Sequence, residues 1–117
     1  MTPGMADFIA ARRRIAGHVR RTPCRRSENL SDLAGVPVWL KCEHHQDTGA
    51  FKLRGATNAV LRLAPGAPGV TTASTGNHGR ALAHAARALD VPATVCLSLL
   101  GPEHKVEGIR ELGAEGL

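Results

Sequence analysis

From Val70 onward the chain alternates short apolar runs with a helical segment, and that alternation restricts its fold more than any other feature. Val70 to Ser74 reads as a short strand, Thr75-Gly76-Asn77-His78 as a tight loop, and Gly79 to Leu89 as an alanine-rich helix. Val91-Pro92 then turns into a second strand over 93–98 (ATVCLS), and Pro102 opens a last helix that runs to Leu112 and is capped by Gly113. Proline suits a first helical turn, and glycine suits the position just past a helix end. Strand–helix–strand segments with continuous apolar strands are the pattern of right-handed βαβ units in a parallel sheet. The expected class is therefore α/β, with βαβ units building a three-layer parallel-sheet fold.

The residues before Val70 are less regular. Residues 6–19 (ADFIAARRRIAGHV) are predicted to form a helix with Phe8, Ile9, Ile15 and Val19 on one stripe, its arginines facing water. Arg21-Thr22-Pro23 ends it, because the residue before proline avoids helical angles. Ser27 to Ala34 is a short helix closed by Gly35, and residues 36–42 (VPVWLKC) form a strand-like run. A polar loop over 43–50 (EHHQDTGA), a helix from Phe51 to Leu63 and a turn-rich connector over 65–69 follow. After Leu112 the pattern calls for another strand, which is expected to be missing. Residues 1–117 are thus expected to be an incomplete amino-terminal portion with no second domain: a gene fragment, a truncated reading frame or one part of a split protein.

At 117 residues the chain is at most one small domain, and its 43% hydrophobic content is mainly Ala, Leu and Val, with two Phe, one Trp and no Tyr. The net charge of +5 is concentrated early, in Arg12-Arg13-Arg14, Arg20-Arg21 and Arg25-Arg26. A nucleic-acid-binding arm is one reading of these arginines. No aromatic residues interleave with them, so a solvated helix face is preferred and no nucleic-acid partner is expected. Cys24, Cys42 and Cys96 are odd in number and widely spaced, which favours neither a disulfide framework nor a zinc site. A metal site from Cys42, His44, His45 and His78 is disfavoured, since adjacent histidines point different ways and no second pair at zinc spacing follows. No run of 18 apolar residues and no signal-peptide pattern occurs, so a cytoplasmic protein without a membrane partner is expected.

Two segments carry chemistry. In the first, Lys52 follows a Thr48-Gly49 turn and stands at a helix start. The partial positive charge there disfavours an ammonium and pushes a lysine toward its neutral, nucleophilic form, which can add to a carbonyl cofactor. Taken alone, a lysine in a first helical turn is more often a solvated side chain. In the second, Ser74-Thr75-Gly76-Asn77-His78 joins a strand to a helix. Its backbone N–H groups and hydroxyls suit a carboxylate or phosphate, and ordinary capping explains the same residues as well.

Read together, the segments resemble the fold-type-II pyridoxal-phosphate (PLP) enzymes, the serine/threonine dehydratase and serine racemase group. That family's K-x-E-x-x-Q-x-T-G-S-F-K-x-R-G-A pattern is met by Lys41, Glu43, Gln46, Thr48, Gly49, Phe51, Lys52, Arg54, Gly55 and Ala56, and its S-x-G-N-H loop by Ser74, Gly76, Asn77 and His78. Pro102, Lys105 and the stretch from Leu112 to Glu115 resemble its next landmarks. The finer resemblance is to the dehydratase of hydroxyectoine utilisation, through T-G-A-F-K-L-R-G-A and A-S-T-G-N-H-G-R-A-L. The resemblance implies the amino-terminal part of a tryptophan-synthase-β-like PLP fold. It also implies that Lys52 is the lysine that carries PLP and removes the substrate's α-proton, and that Phe51 packs near the cofactor ring. Asn77 would hydrogen-bond the ring's phenolic oxygen, and residues 74–78 would hold the carboxylate of a small amino-acid substrate. The implied reaction is loss of water and ammonia from a β-hydroxy amino acid, and the family is often homodimeric. Two positions depart from the pattern. Ala50 replaces a serine, and Thr75 stands where racemases place one, which favours elimination over racemisation. The family's downstream glycine-rich phosphate loop has no counterpart in the sequence. The chain by itself is therefore expected to bind PLP weakly and not to turn over substrate, and a catalytically inactive product is the alternative reading.

Overall fold

The protein is described by a computed structural model that covers residues 2–74, 76–96, 107–108, 110–111, 113 and 115–116. Its elements in chain order are α1 (Met5–Arg14), β1 (Cys24–Arg26), α2 (Glu28–Ala34), β2 (Trp39–Lys41), a 3₁₀ turn (Glu43–His45), α3 (Lys52–Val60), β3 (Val70–Ala73), α4 (Asn77–Ala88), β4 (Ala93–Cys96) and β5 (Glu115–Gly116).

The expected βαβ unit is present. β3 pairs parallel with β4 in the register Val70↔Ala93 to Ala73↔Cys96, and Val95 at its centre is fully buried. The ladder continues past both ends of β3: the Val70 N–H donates to the Pro92 carbonyl at 2.9 Å, and the Ser74 N–H to the Cys96 carbonyl at 3.1 Å. α4 packs on this sheet and on α3. α4 turns its small residues to both neighbours, burying Gly79, Ala81, Leu82, Ala83, Ala85 and Ala86, while Arg80 and Arg87 stay exposed on its outer stripe. Its alanines let both neighbours come close. Leu53, Ala56 and Val60 of α3 meet Ala81, Leu82 and Ala85 of α4 to form the core cluster, ringed by Val19, Leu63, Val70, Leu89 and Val91.

Gly69 holds the start of β3 against the turn before β4. Its φ is +152°, and a Cβ there would lie 2.7 Å from the Pro92 carbonyl oxygen and 3.2 Å from the Pro92 Cβ. That oxygen also accepts the Val70 ladder bond, so it cannot retreat without breaking the ladder. We expect Gly69→Ala to destabilise the chain by about 2 kcal/mol through a strained backbone and this clash, read as a lowered thermal midpoint.

Several expectations are corrected. The first helix ends at Arg14, not residue 19, because Gly17 takes a left-handed φ of +85° and turns the chain. Val19 is consequently off the helix. Ile15 is buried, while Phe8 and Ile9 stay exposed and α1 buries no residue. The helix keeps its polar signals: the Asp7 side chain accepts from the Gly4 N–H at 2.8 Å, and Arg12, Arg13 and Arg14 fill the last turn. The strand-like run over 36–42 narrows to β2. Its partner β1, which the sequence did not reveal, lies antiparallel in the register Cys24↔Lys41, Arg25↔Leu40, Arg26↔Trp39. All six paired residues are exposed, so backbone pairing makes this ribbon and burial does not. The helix between them follows its caps. Ser27 Oγ accepts from the Leu30 N–H, Gly35 closes the end, and the buried Ser31 hydroxyl donates to the Ser27 carbonyl and accepts from the Val38 N–H.

The helix expected over 51–63 is confined to Lys52–Val60, and the one expected from Gly79 starts two residues earlier. The strand expected to be missing after Leu112 is present as Glu115–Gly116. β5 lies parallel to β4, with Thr94↔Glu115 and Val95↔Gly116. Of the last predicted helix, residues 107, 108 and 110 are helical, 111 lies in a turn and the others lie outside the described residues, as do positions 97 and 98 of the second predicted strand. Among the described residues no helix is long and apolar enough to cross a membrane.

Candidate active site

Lys52 is the first residue of α3, with Phe51 as N-cap. Neither a side-chain cap nor an acidic first-turn residue fixes this helix start. The Lys52 side chain is exposed, and its ammonium lies 5.5 Å from the centroid of the Phe51 ring, within cation–π range.

The α3 start is instead held from the side. Arg54 lies two residues beyond Lys52, about 200° further round the helix, so the two side chains leave on roughly opposite faces. The Arg54 guanidinium grips Glu43 in a two-pronged pair, Nε to Oε2 at 2.9 Å and Nη2 to Oε1 at 2.8 Å. The Thr22 hydroxyl donates to the same carboxylate, and the Arg20 carbonyl lies 3.2 Å from Arg54 Nη2. Gln46, buried at 4% exposure, clamps Arg20 by its backbone: its Nε2 donates to the Arg20 carbonyl at 2.7 Å and its Oε1 accepts the Arg20 N–H at 3.2 Å. The Lys41 ammonium donates to the Thr22 carbonyl at 2.6 Å. An Arg20–Asp47 ion pair flanks the group. Four polar residues of one sequence motif (Lys41, Glu43, Gln46 and Arg54) thus staple the extended segment 20–22 to the start of the lysine-bearing helix.

The Arg54 hydrogen bonds are the main reason the Glu43 carboxyl falls from its ordinary 4.5 to about 2. Burial opposes the shift, and the Thr22 hydroxyl and the charges of Arg54 and Lys41 add to it. A carboxyl whose pKa is depressed by folding stabilises the fold fully above pH 4.5, and that contribution is lost as the pH falls through about 2. Linkage puts it on the order of 3 kcal/mol. Acid titration of stability should therefore show a loss that begins below pH 4.5 and is flattened in Glu43→Gln.

In the second segment, the Ser74 Oγ accepts from the Gly76 N–H at 3.3 Å. Gly76 is the N-cap of α4, and Asn77 and His78 are its first two residues, both exposed. Thr75 lies outside the described residues. The first N–H groups of a helix have no intrahelical partner and face the positive end of its dipole, so this turn can receive an anion. Because α3 and α4 pack on each other, Lys52 and Asn77 open two adjoining helices. His84 is partly buried within α4. The His44 and His45 rings lie 4.2 Å apart, and among the described residues no three His, Cys, Asp or Glu side chains are grouped to share a metal ion.

Sequence reasoning singled out Lys52 and the 74–78 loop and assigned no task to Thr22, Lys41, Glu43, Gln46 or Arg54. Four of these stood in the quoted motif. Glu43 and Gln46 read as part of a polar loop, Lys41 as the end of a strand and Arg54 as a helix residue, since nothing in one sequence shows that Glu43 and Arg54 meet.

Residues 15–116 match the family described as pyridoxal-phosphate dependent enzyme. A Sinorhizobium fredii protein provisionally named threonine dehydratase is 59% identical over 106 residues, which are 89% of this chain and 32% of that protein. The beta-hydroxyaspartate dehydratase of Paracoccus denitrificans is 44% identical over 113 residues, 95% of this chain and 36% of its own length. Maize serine racemase superposes with a TM-score of 0.91 at 34% identity, covering 100% of this chain and 36% of that structure. The chain belongs to the pyridoxal-phosphate dependent enzyme family, in its fold-type-II branch. It spans about a third of the length of the curated relatives it matches.

The residues present fit that cofactor. An exposed primary amine at a helix start suits an aldehyde, and the α4 turn offers the Asn77 amide, the Ser74 hydroxyl and the N–H groups of a helix start for anionic oxygens. One more polar group in the lysine loop, the Thr48 hydroxyl, is buried without a partner among the described residues.

Proposed function

We propose that this chain provides the lysine-bearing portion of a PLP-dependent ammonia-lyase that removes water and ammonia from a small β-hydroxy amino acid. The observation that carries the reading is Lys52: an exposed amine on the first residue of α3, a helix that packs on α4 and whose Arg54 is paired with Glu43. Bound PLP supplies an aldehyde for that amine and a conjugated ring that accepts the electron pair left at the substrate α-carbon. Lys52 then serves as the base that receives the α-proton. The N–H groups of residues 74–78 hold the substrate carboxylate and so orient the α-C–H bond toward Lys52. Phe51 would pack beside the bound ring, and Asn77 would hydrogen-bond its phenolic oxygen. Thr75, stiffer than serine at the second acid/base position, favours elimination over racemisation.

Relatives named for threonine and hydroxyaspartate dehydration support a β-hydroxy amino acid as substrate class. The T-G-A-F-K-L-R-G-A and A-S-T-G-N-H-G-R-A-L stretches favour a role in hydroxyectoine catabolism, which would show as activity toward hydroxyectoine-derived amino acids when the rest of the fold is supplied. The phosphate of PLP has no glycine-rich cradle in this sequence, so binding to the chain by itself is expected to be weak. The test is a PLP titration followed by visible absorbance, with Lys52→Ala alongside. A saturable band present in the parent and lost in the variant supports the reading; identical spectra refute it.

A further inference from the structure

We propose that Glu43 and Arg54 are positioning residues for Lys52: their two-pronged pair sets the direction in which the lysine amine leaves α3, and with it the reactivity of that amine toward an aldehyde. The proposal rests on the reading of Lys52 as the cofactor lysine.

Three observations carry it. First, α3 begins without any of the usual anchors. Its N-cap Phe51 makes no side-chain cap bond, and of the two turn bonds that lead into it, Leu53 N–H to Ala50 carbonyl is long at 3.5 Å while Arg54 N–H to Phe51 carbonyl, at the pair's own residue, is 3.1 Å. Second, the pair bonds to a neighbouring segment and not only to its own helix. Glu43 takes both prongs of Arg54 and the Thr22 hydroxyl, and Arg54 also lies within reach of the Arg20 carbonyl. Third, the contacts of Lys52 and Arg54 diverge. Arg54 reaches the 20–22 segment, while Lys52 stays exposed over the Phe51 ring. A grip on one side of a helix turn fixes the direction of the side chain on the other. A carboxylate–guanidinium fork is suited to this because it fixes angle as well as distance, which a lysine ammonium does not.

The experiment uses the chain as it stands, with Glu43→Gln and Arg54→Lys as mild variants, and records two readouts. One is amide hydrogen exchange across α3 and α4. The other is the yield of borohydride-trapped label on Lys52 relative to Lys105 at limiting PLP, measured by peptide mass mapping. We expect exchange at residues 52–56 to quicken by about tenfold in both variants while the α4 amides keep their rates. The Lys52-to-Lys105 label ratio should fall several-fold in parallel. Unchanged exchange and an unchanged ratio in both variants would overturn the proposal and leave the cofactor reading intact. A uniform rise in exchange over α3 and α4 would also overturn it, because the pair would then be merely structural. A parent chain that shows no preference for Lys52 would refute the cofactor reading itself, and the proposal with it.

Discussion

Leu53→Ala should lower the stability of the chain by about 3 kcal/mol, as large-to-small changes at fully buried leucines do. Leu53 and Val95 are the largest side chains with essentially no exposure. Leu53 alone of these two belongs to the α3–α4 cluster, where Ala56, Ala81 and Ala85 are three of its five buried companions. Alanines on a helix backbone cannot swing into a vacated volume, so the cavity stays open and its lining loses contacts outright. For a small domain whose whole stability is roughly 5–15 kcal/mol, such a loss is a large share. The check is a urea transition with an unchanged slope and a lower midpoint. A shift of less than a third of the expected size would mean that α3 and α4 are not held together through Leu53.

Removing the guanidinium should be nearly as costly. In Arg54→Met the apolar stem of the side chain is kept and the charge is lost. Glu43, with only 16% of its side chain exposed, would keep the Thr22 hydroxyl as hydrogen-bond partner and only the more distant charge of Lys41 as counter-ion. Breaking one side of such a pair costs more than the pair itself contributes, since the desolvated carboxylate is left behind. Because Arg54 is itself 31% exposed, water can reach part of the gap, and we expect about 2 kcal/mol instead of the larger values seen for fully enclosed pairs. The carboxyl of Glu43 should rise back toward its ordinary range at the same time, so the variant's stability should be less sensitive to acid below pH 4.5 than the parent's. Equal acid sensitivity in the two proteins would show that Arg54 is not what holds Glu43 ionised.

These effects separate what the sequence displayed from what it concealed. The βαβ unit of β3, α4 and β4 was legible because two short strand-like runs flank an alanine-rich helix, although β3 is only partly covered and of β4 only Val95 is buried. The Ser27 cap and the Gly35 stop were legible because they are local. The antiparallel β1–β2 ribbon was not, since Cys24, Arg25 and Arg26 pair through their backbone and bury nothing. The place of β5 was legible from the strand–helix alternation, but its presence was not, because Glu115 and Gly116 carry no apolar strand pattern of their own. The end of α1 was misplaced because Ile15 and Val19 fit a helical stripe, while the turn at Gly17 depends on a backbone angle that apolar spacing does not report. At the candidate site, Lys52 and Asn77 stand in short recognisable stretches. The staple formed by Glu43, Gln46 and Arg54 with Arg20 and Thr22 joins residues up to 34 positions apart, and only the folded chain brings them together.

The central claim is that Lys52 is the amine prepared for the cofactor. The chain has three lysines, Lys41, Lys52 and Lys105, so the claim can be put to a direct choice among them. Lys41 is already committed to the Thr22 carbonyl. The decisive measurement is reduction of the PLP-treated chain with borohydride, followed by mass mapping of the label on the native protein and again on the protein unfolded in urea. The account predicts label concentrated on Lys52 in the folded chain and spread over all three lysines once it is unfolded. Label distributed alike in both states would contradict it.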